Sequence, residues 1–175
     1  MKKLSKITLI LLSILSFYSC SNDETVQEQT YVYKSEKLNF TKFFNNQVGV
    51  QSREPSDFTN YIHSEFETTF FIPDDLTNEE LREYITENQS SIDGTLRYFF
   101  NDKEFITVKF VKGQIVGNIN VQSKAYPCTY DGIQDCVQYA VYEEWTTIEA
   151  LICAATGGLE CIAVEAAACI EQNCF

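Results

Sequence analysis

Residues 104–121, EFITVKFVKGQIVGNINV, alternate apolar and polar side chains on both sides of Lys112-Gly113. A two-residue turn at that pair sets Phe110 opposite Ile115, Val108 opposite Gly117 and Ile106 opposite Ile119. Strand side chains point alternately to the two faces of a sheet, so this register gathers the apolar residues on one face. Thr107, Lys109, Gln114, Asn118 and Asn120 fall on the other, which suits water. Gly113 supplies the positive φ that tight hairpin turns require. The stretch therefore predicts a β-hairpin with one face committed to a core.

Toward the N-terminus, Thr77-Asn78-Glu79-Glu80 has the spacing of a capping box, with Thr77 as N-cap and Glu80 reaching back to it. Leu81, Tyr84 and Ile85 follow at helical spacing, which predicts a helix over 78–88 that ends by Ser90–Gly94. Asp93–Leu96, DGTL, reads as a turn. Further upstream, YVYKSEKLNF (31–40) reads as a strand and Phe58–Phe66 as a short helix. Residues 31–124 thus form a small α+β module with enough chain for a modest core.

Toward the C-terminus the composition changes at Ala125. Residues 128–175 carry eight acidic side chains, no Lys or Arg, and six cysteines. Val137, Val141, Trp145, Ile148 and Ile152 recur every three or four residues and make one apolar helical face. Gly157-Gly158 interrupts, as glycine does at helix C-termini. Leu159, Ile162, Ala163, Ala166 and Ile170 then resume the pattern. The expected fold class is α+β: a module with a β-hairpin and a capped helix (31–124), followed by a disulfide-stapled αα-hairpin (125–175).

Cys153 and Cys161 sit symmetrically about the glycine turn and are natural partners. In a straight first helix, Cys136 lies about 25 Å from Cys153, whereas Cys169 lies only about 12 Å from Cys161 along the second. Disulfide Cα atoms must approach within about 7 Å, so straight helices keep Cys136 from Cys169. Extended chain after position 170 would instead carry Cys174 to Cys136 and leave Cys128 for Cys169. Zinc motifs place cysteine pairs two to four residues apart and recur as sets. Here the spacings are irregular, which favours structural disulfides and no metal.

At the other end, residues 1–19, MKKLSKITLILLSILSFYS, combine Lys2, Lys3 and Lys6 with an apolar run of eleven residues, Ile7–Phe17. A helix that crosses a bilayer needs about 20 residues. A basic head with a short apolar body is the pattern of an export signal. Ser19-Cys20 follows, then Ser21-Asn22-Asp23-Glu24. These residues resemble the signal of bacterial lipoproteins, in which a small residue precedes a cysteine that is acylated and becomes the mature N-terminus. The acidic residues after the cysteine are similar to the short signal that sends some Gram-negative lipoproteins to the cell surface. The resemblance implies a lipid attachment at Cys20, a signal peptide over 1–19, a tether over 20–30, and a surface-exposed location on the outer membrane. Stable attachment of this kind takes more than one acyl chain.

Parity agrees with that expectation. Of seven cysteines, setting Cys20 aside leaves Cys128, Cys136, Cys153, Cys161, Cys169 and Cys174, an even set of the kind that pairs in an oxidising compartment. The whole chain has a formal net charge of −12, and loss of three lysines with residues 1–19 leaves 25 acidic against 10 basic side chains, a net of −15. Such charge opposes phosphate backbones, where affinity comes from Lys and Arg, so nucleic acid is excluded as a partner. An extracellular protein or glycan ligand is compatible with it.

Residue types that carry catalysis are sparse. His63, the only histidine, is a candidate general base because of the chemistry of imidazole, but no glycine-framed serine or HExxH accompanies it. Asp74-Asp75 and Glu79-Glu80 lie where the dipole of a helix N-terminus favours acids. Tyr139, Tyr142, Trp145 and Phe70–Pro73 form either an exposed interaction patch or core; Trp145, in the apolar stripe, is expected in the core. Ala154–Ile170 is rich in alanine and, with the cysteines around it, resembles halocin-type cysteine-rich antimicrobial peptides, which are carried at the C-terminus of an exported precursor. That resemblance implies an alternative role as a bacteriocin-like precursor. The leading expectation is a cell-envelope lipoprotein anchored through Cys20, with a noncatalytic binding or structural role and no cofactor.

Overall fold

The computed structural model describes residues 29–48, 61–117 and 126–174. Cys20, the leader and nearly all of the tether lie outside these residues, as do Phe58–Asn60 and the Asn118–Asn120 end of the expected hairpin.

One antiparallel sheet organises the chain. Tyr31–Lys34 (β1) and Leu38–Asn39 (β2) both pair with one edge of Tyr61–Thr68 (β3). They form a single edge strand interrupted at Ser35, whose hydroxyl accepts from the Ser64 N–H at 2.8 Å and whose own N–H donates to the Ser64 carbonyl at 3.0 Å. Residues 31–40 thus contain the expected strand in two pieces, and Phe40–Val48 (α1) starts at once after it. Gly94–Phe100 (β4) pairs with the other edge of β3, and Lys103–Val111 (β5) and Gln114–Val116 (β6) complete the meander.

Phe110 faces Ile115 in the ladder, and both Lys112 (φ +49°) and Gly113 (φ +65°) occupy the left-handed region. The expected two-residue turn and its register are therefore present. Asn101 (φ +47°) and Asp102 (φ +61°) make a second such turn between β4 and β5. A bulge between Tyr98 and Phe99 lets Phe105 and Ile106 both bury.

Two local expectations are corrected. Residues 61–66 are strand, not helix: Ile62, Ser64, Phe66 and Thr68 all point inward. The buried polar members hid the alternation. Thr68 is tolerated inside because its hydroxyl donates to the Asp93 carbonyl (2.6 Å) and accepts from the Phe70 N–H (3.0 Å). Gly94 opens β4 instead of closing a turn. A Cβ there would lie 2.7 Å from both the Glu67 carbonyl oxygen and the Phe66 ring, so glycine serves close strand approach.

The capped helix is Asn78–Asn88 (α2), with both halves of the Thr77–Glu80 box formed. The tail contains Tyr130–Tyr139 (α3), a π turn over Ala140–Glu144, Thr147–Ala155 (α4) and Leu159–Cys174 (α5). Its first arm is thus broken at Trp145 (ψ 137°), where Thr146 and Glu149 form a second capping box that restarts the helix. Gly157 (φ +61°) ends α4, and the Gly158 N–H donates to the Cys153 carbonyl at 2.8 Å, a Schellman closure.

The disulfides join Cys128–Cys174, Cys136–Cys169 and Cys153–Cys161, with Cα separations of 5.1, 6.0 and 6.5 Å. The innermost pair is as expected. The outer two are exchanged relative to the sequence-based pairing, for two reasons. The break at Trp145 re-aims α3, so Cys136 is not carried away along a straight rod. α5 also stays helical through Cys174, which takes that residue past Cys169 to Cys128. Three nested rungs result.

One side of the sheet is covered: α4 and α5 lie against β3, α3 against β5, α2 beside α4 and α1 beside α5. A continuous cluster of buried side chains runs from Phe40 and Phe44 through Leu96, Tyr98 and Phe110 to Val137, Leu151, Ile162 and Ile170. Ala163, Ala166 and Ala167 are buried on α5, so its alanine content lets a helix approach its neighbours closely. The other side of the sheet carries cross-strand ion pairs, Lys34–Glu65 at 2.6 Å and Arg97–Glu67 at 3.2 Å.

Candidate binding groove

A groove of about 450 Å³ opens where Arg82 of α2, the Trp145 break, α4 and α5 meet. Its walls include Trp145, Ile152 and Val164; the Cys153–Cys161 disulfide lies beside them, and Glu149, Glu160 and Glu165 add carboxylates. Each position follows from local sequence logic. Trp145 is the residue at which the helix breaks, and its ring is part-buried, packed against the edge of the core while it lines the groove. It was expected in the core.

The indole Nε1–H donates to Glu165 Oε1 at 2.9 Å. That is the only donor an indole possesses, so what Trp145 offers the groove is its π system. Glu149 is held by its cap, accepting from the Thr146 N–H at 3.0 Å and the Thr146 hydroxyl at 2.8 Å. Those bonds, with a smaller contribution from the charge of Arg82, hold its carboxyl below the ordinary glutamate value. Glu160 stands exposed in the first turn of α5, where the helix dipole favours an anion. The ion pairs among the described residues lie at the sheet and not here.

The residues singled out in the sequence are placed elsewhere. His63 projects from the open side of β3, stacked on Phe99 with ring centroids 4.7 Å apart, and its Nδ1 is 3.8 Å from Asp102 Oδ1. That exceeds a hydrogen bond, and Nδ1 has no hydrogen-bond partner among the described residues. Asp102 is itself tied to Lys37 at 2.8 Å, which lowers its pKa. Tyr142 donates to the Thr107 carbonyl at 2.9 Å and helps seat the π turn on β5. Phe71 is 54% exposed while Ile72 is buried, so the FFIP run is divided between surface and core.

Eight tail residues with Arg82 make the groove, and the sequence pattern, which names several of them as stripe or disulfide residues, does not gather them into a site. The legible signal was the second capping box, Thr146-Thr147-Ile148-Glu149, which marks a helix start inside what looked like one continuous stripe.

No family model matches the chain, and neither a curated protein nor a solved structure does. No helix among the described residues is long and apolar enough to cross a membrane.

Proposed function

We propose that this chain is a cell-envelope lipoprotein, attached through Cys20 and facing outward, with a noncatalytic binding role. The observation that carries the proposal is the closed set of disulfides. Six cysteines pair among themselves, and Cys20 is the seventh, directly after a short apolar leader. Disulfides persist in oxidising compartments, which agrees with export, and a groove with an apolar wall and a few charged groups is a form that ligand sites take.

The test is metabolic labelling of a bacterial host with an alkyne fatty acid. Label is expected on the full chain, to be lost in Cys20→Ala, and to be kept in the double variant Cys153→Ala/Cys161→Ala. Label that survives in Cys20→Ala, or absence of label on the natural chain, overturns the attachment. Protease treatment of intact cells is expected to digest the protein from outside. A free tail fragment accumulating in the medium would favour the precursor reading instead. The continuous core shared by tail and sheet is why we place that reading second: release would expose the apolar face of both.

A further inference from the structure

We infer that the groove between α2, α4 and α5 binds an organic cation: an ammonium head on a short aliphatic or aromatic body. The inference rests on the proposed binding role and gives it a ligand class. Size comes first. A hollow of about 450 Å³ is in the range of small-molecule sites, yet among the described residues Arg82 is its only basic one, against Glu149, Glu160 and Glu165. Anions and phosphates are disfavoured by that balance, and a chain of net charge −12 draws cations toward it from a distance.

A bare metal ion is not the best fit, because most of the lining is apolar. Ile152 and Val164 lie beside the indole, and Val164 is 49% exposed although it gains nothing from water. Trp145 is fixed through Nε1 by Glu165, so its ring is pre-positioned, and an aromatic face attracts an ammonium group by its quadrupole. The carboxylates select the head and the aliphatic wall the body. Oriented groups of both kinds in one hollow distinguish this place from an ordinary acidic surface.

Trp145 is also the single tryptophan of the chain, so emission excited at the red edge, where the ten tyrosines do not absorb, reports on the groove. The purified full chain in neutral detergent and phosphate buffer is titrated with n-butylammonium chloride, with n-butanol as neutral isostere and sodium pentanoate as anion. A saturable change in emission in the millimolar range is expected for the ammonium only, weakening several-fold between low and moderate salt. Calorimetry on the same samples detects binding that leaves emission unchanged. Glu160→Gln and Glu165→Gln keep the side-chain shapes and are each expected to weaken binding about twofold to fivefold. Val164→Lys, at an exposed helical position, places a cation in the groove and is expected to abolish binding while near-ultraviolet dichroism stays native. The inference is overturned by equal responses to n-butanol, by unaltered affinity in natively folded Val164→Lys, or by absence of binding in both measurements. Fatty-acid labelling at Cys20 is scored on the same preparations, so the groove and the anchor fail independently.

Discussion

Tyr98 is the largest side chain of the inner sheet face and is fully buried, yet its hydroxyl finds no hydrogen-bond partner among the described residues. A buried unsatisfied hydroxyl costs roughly 1–3 kcal/mol. Tyr98→Phe is therefore expected to raise stability by about 1 kcal/mol, read as a higher urea midpoint with an unchanged slope. Thr68, on the neighbouring strand, is the opposite case. Its hydroxyl makes two bonds to the chain, and Thr68→Val is expected to cost about 1–2 kcal/mol in the same assay. Gly113 combines a φ of +65° with a site where a Cβ would stand 2.0 Å from the Gln89 carbonyl oxygen. A substitution there strains the turn and pushes apart the 3₁₀ segment Gln89–Ser91 that clamps it. The glycine was legible as a turn former; the clamp was not, because Gln89 is distant in sequence.

Among the elements, the three disulfides close loops of very different length. Sequence separations of 46, 33 and 8 residues correspond, for isolated loop closure, to about 4, 3.7 and 2.5 kcal/mol. Replacing Cys153 and Cys161 together with alanine is expected to cost about 2.5 kcal/mol and to leave far-ultraviolet dichroism native, since the Schellman turn and the Thr146 box still define α4. Loss of Cys128–Cys174 is expected to cost more; equal losses for the two pairs in denaturant titration would contradict a loop-length origin. The elements also show where pattern reading succeeds. The capped helix and the β5–β6 turn are specified by contacts within a few residues of one another. The Trp145 break is local as well, but the apolar period running through it masked the capping box. The strand character of 61–68 depends on Thr68 bonding to Asp93, a partner 25 residues away, and no local rule contains it.

At the scale of the molecule, charge sets the response to pH. Glu65, held by Lys34, and Asp102, held by Lys37, have lowered pKa values, as do the capping carboxylates Glu80 and Glu149. Each binds its proton more weakly folded than unfolded. Its contribution is therefore present above the unfolded value, 4.5 for Glu and 3.8 for Asp, and is lost as pH falls through the lowered folded value. All four are largely solvated, and acid also relieves the self-repulsion of a chain at net −12. A shallow acid limb is expected below about pH 4.5. The alkaline limb is steeper. Desolvation raises Tyr33, Tyr98, Tyr126 and Tyr142, and pushes Tyr130 up to about 12. A raised phenol contributes stability below its unfolded value of 10.0 that is lost as pH climbs through the folded value. Phenolate absorbance is expected to rise in two phases, the solvent-accessible tyrosines first and the fully buried Tyr98 only with cooperative unfolding; a single phase centred near 10 would contradict the burial of Tyr98.

By itself the sequence determined the mixed α+β class, the hairpin turn and register, the Thr77 cap, the glycine stop at 157 and the pairing of Cys153 with Cys161. All are encoded by neighbours in the chain, through steric limits on φ and hydrogen bonds that span a few residues. Tertiary structure decided which outer cysteines meet, that 61–68 lies flat between two strands, and that Trp145 lines a groove with three carboxylates. Those outcomes depend on where separate helices come to rest on one sheet, and that is set by burial summed over the whole core.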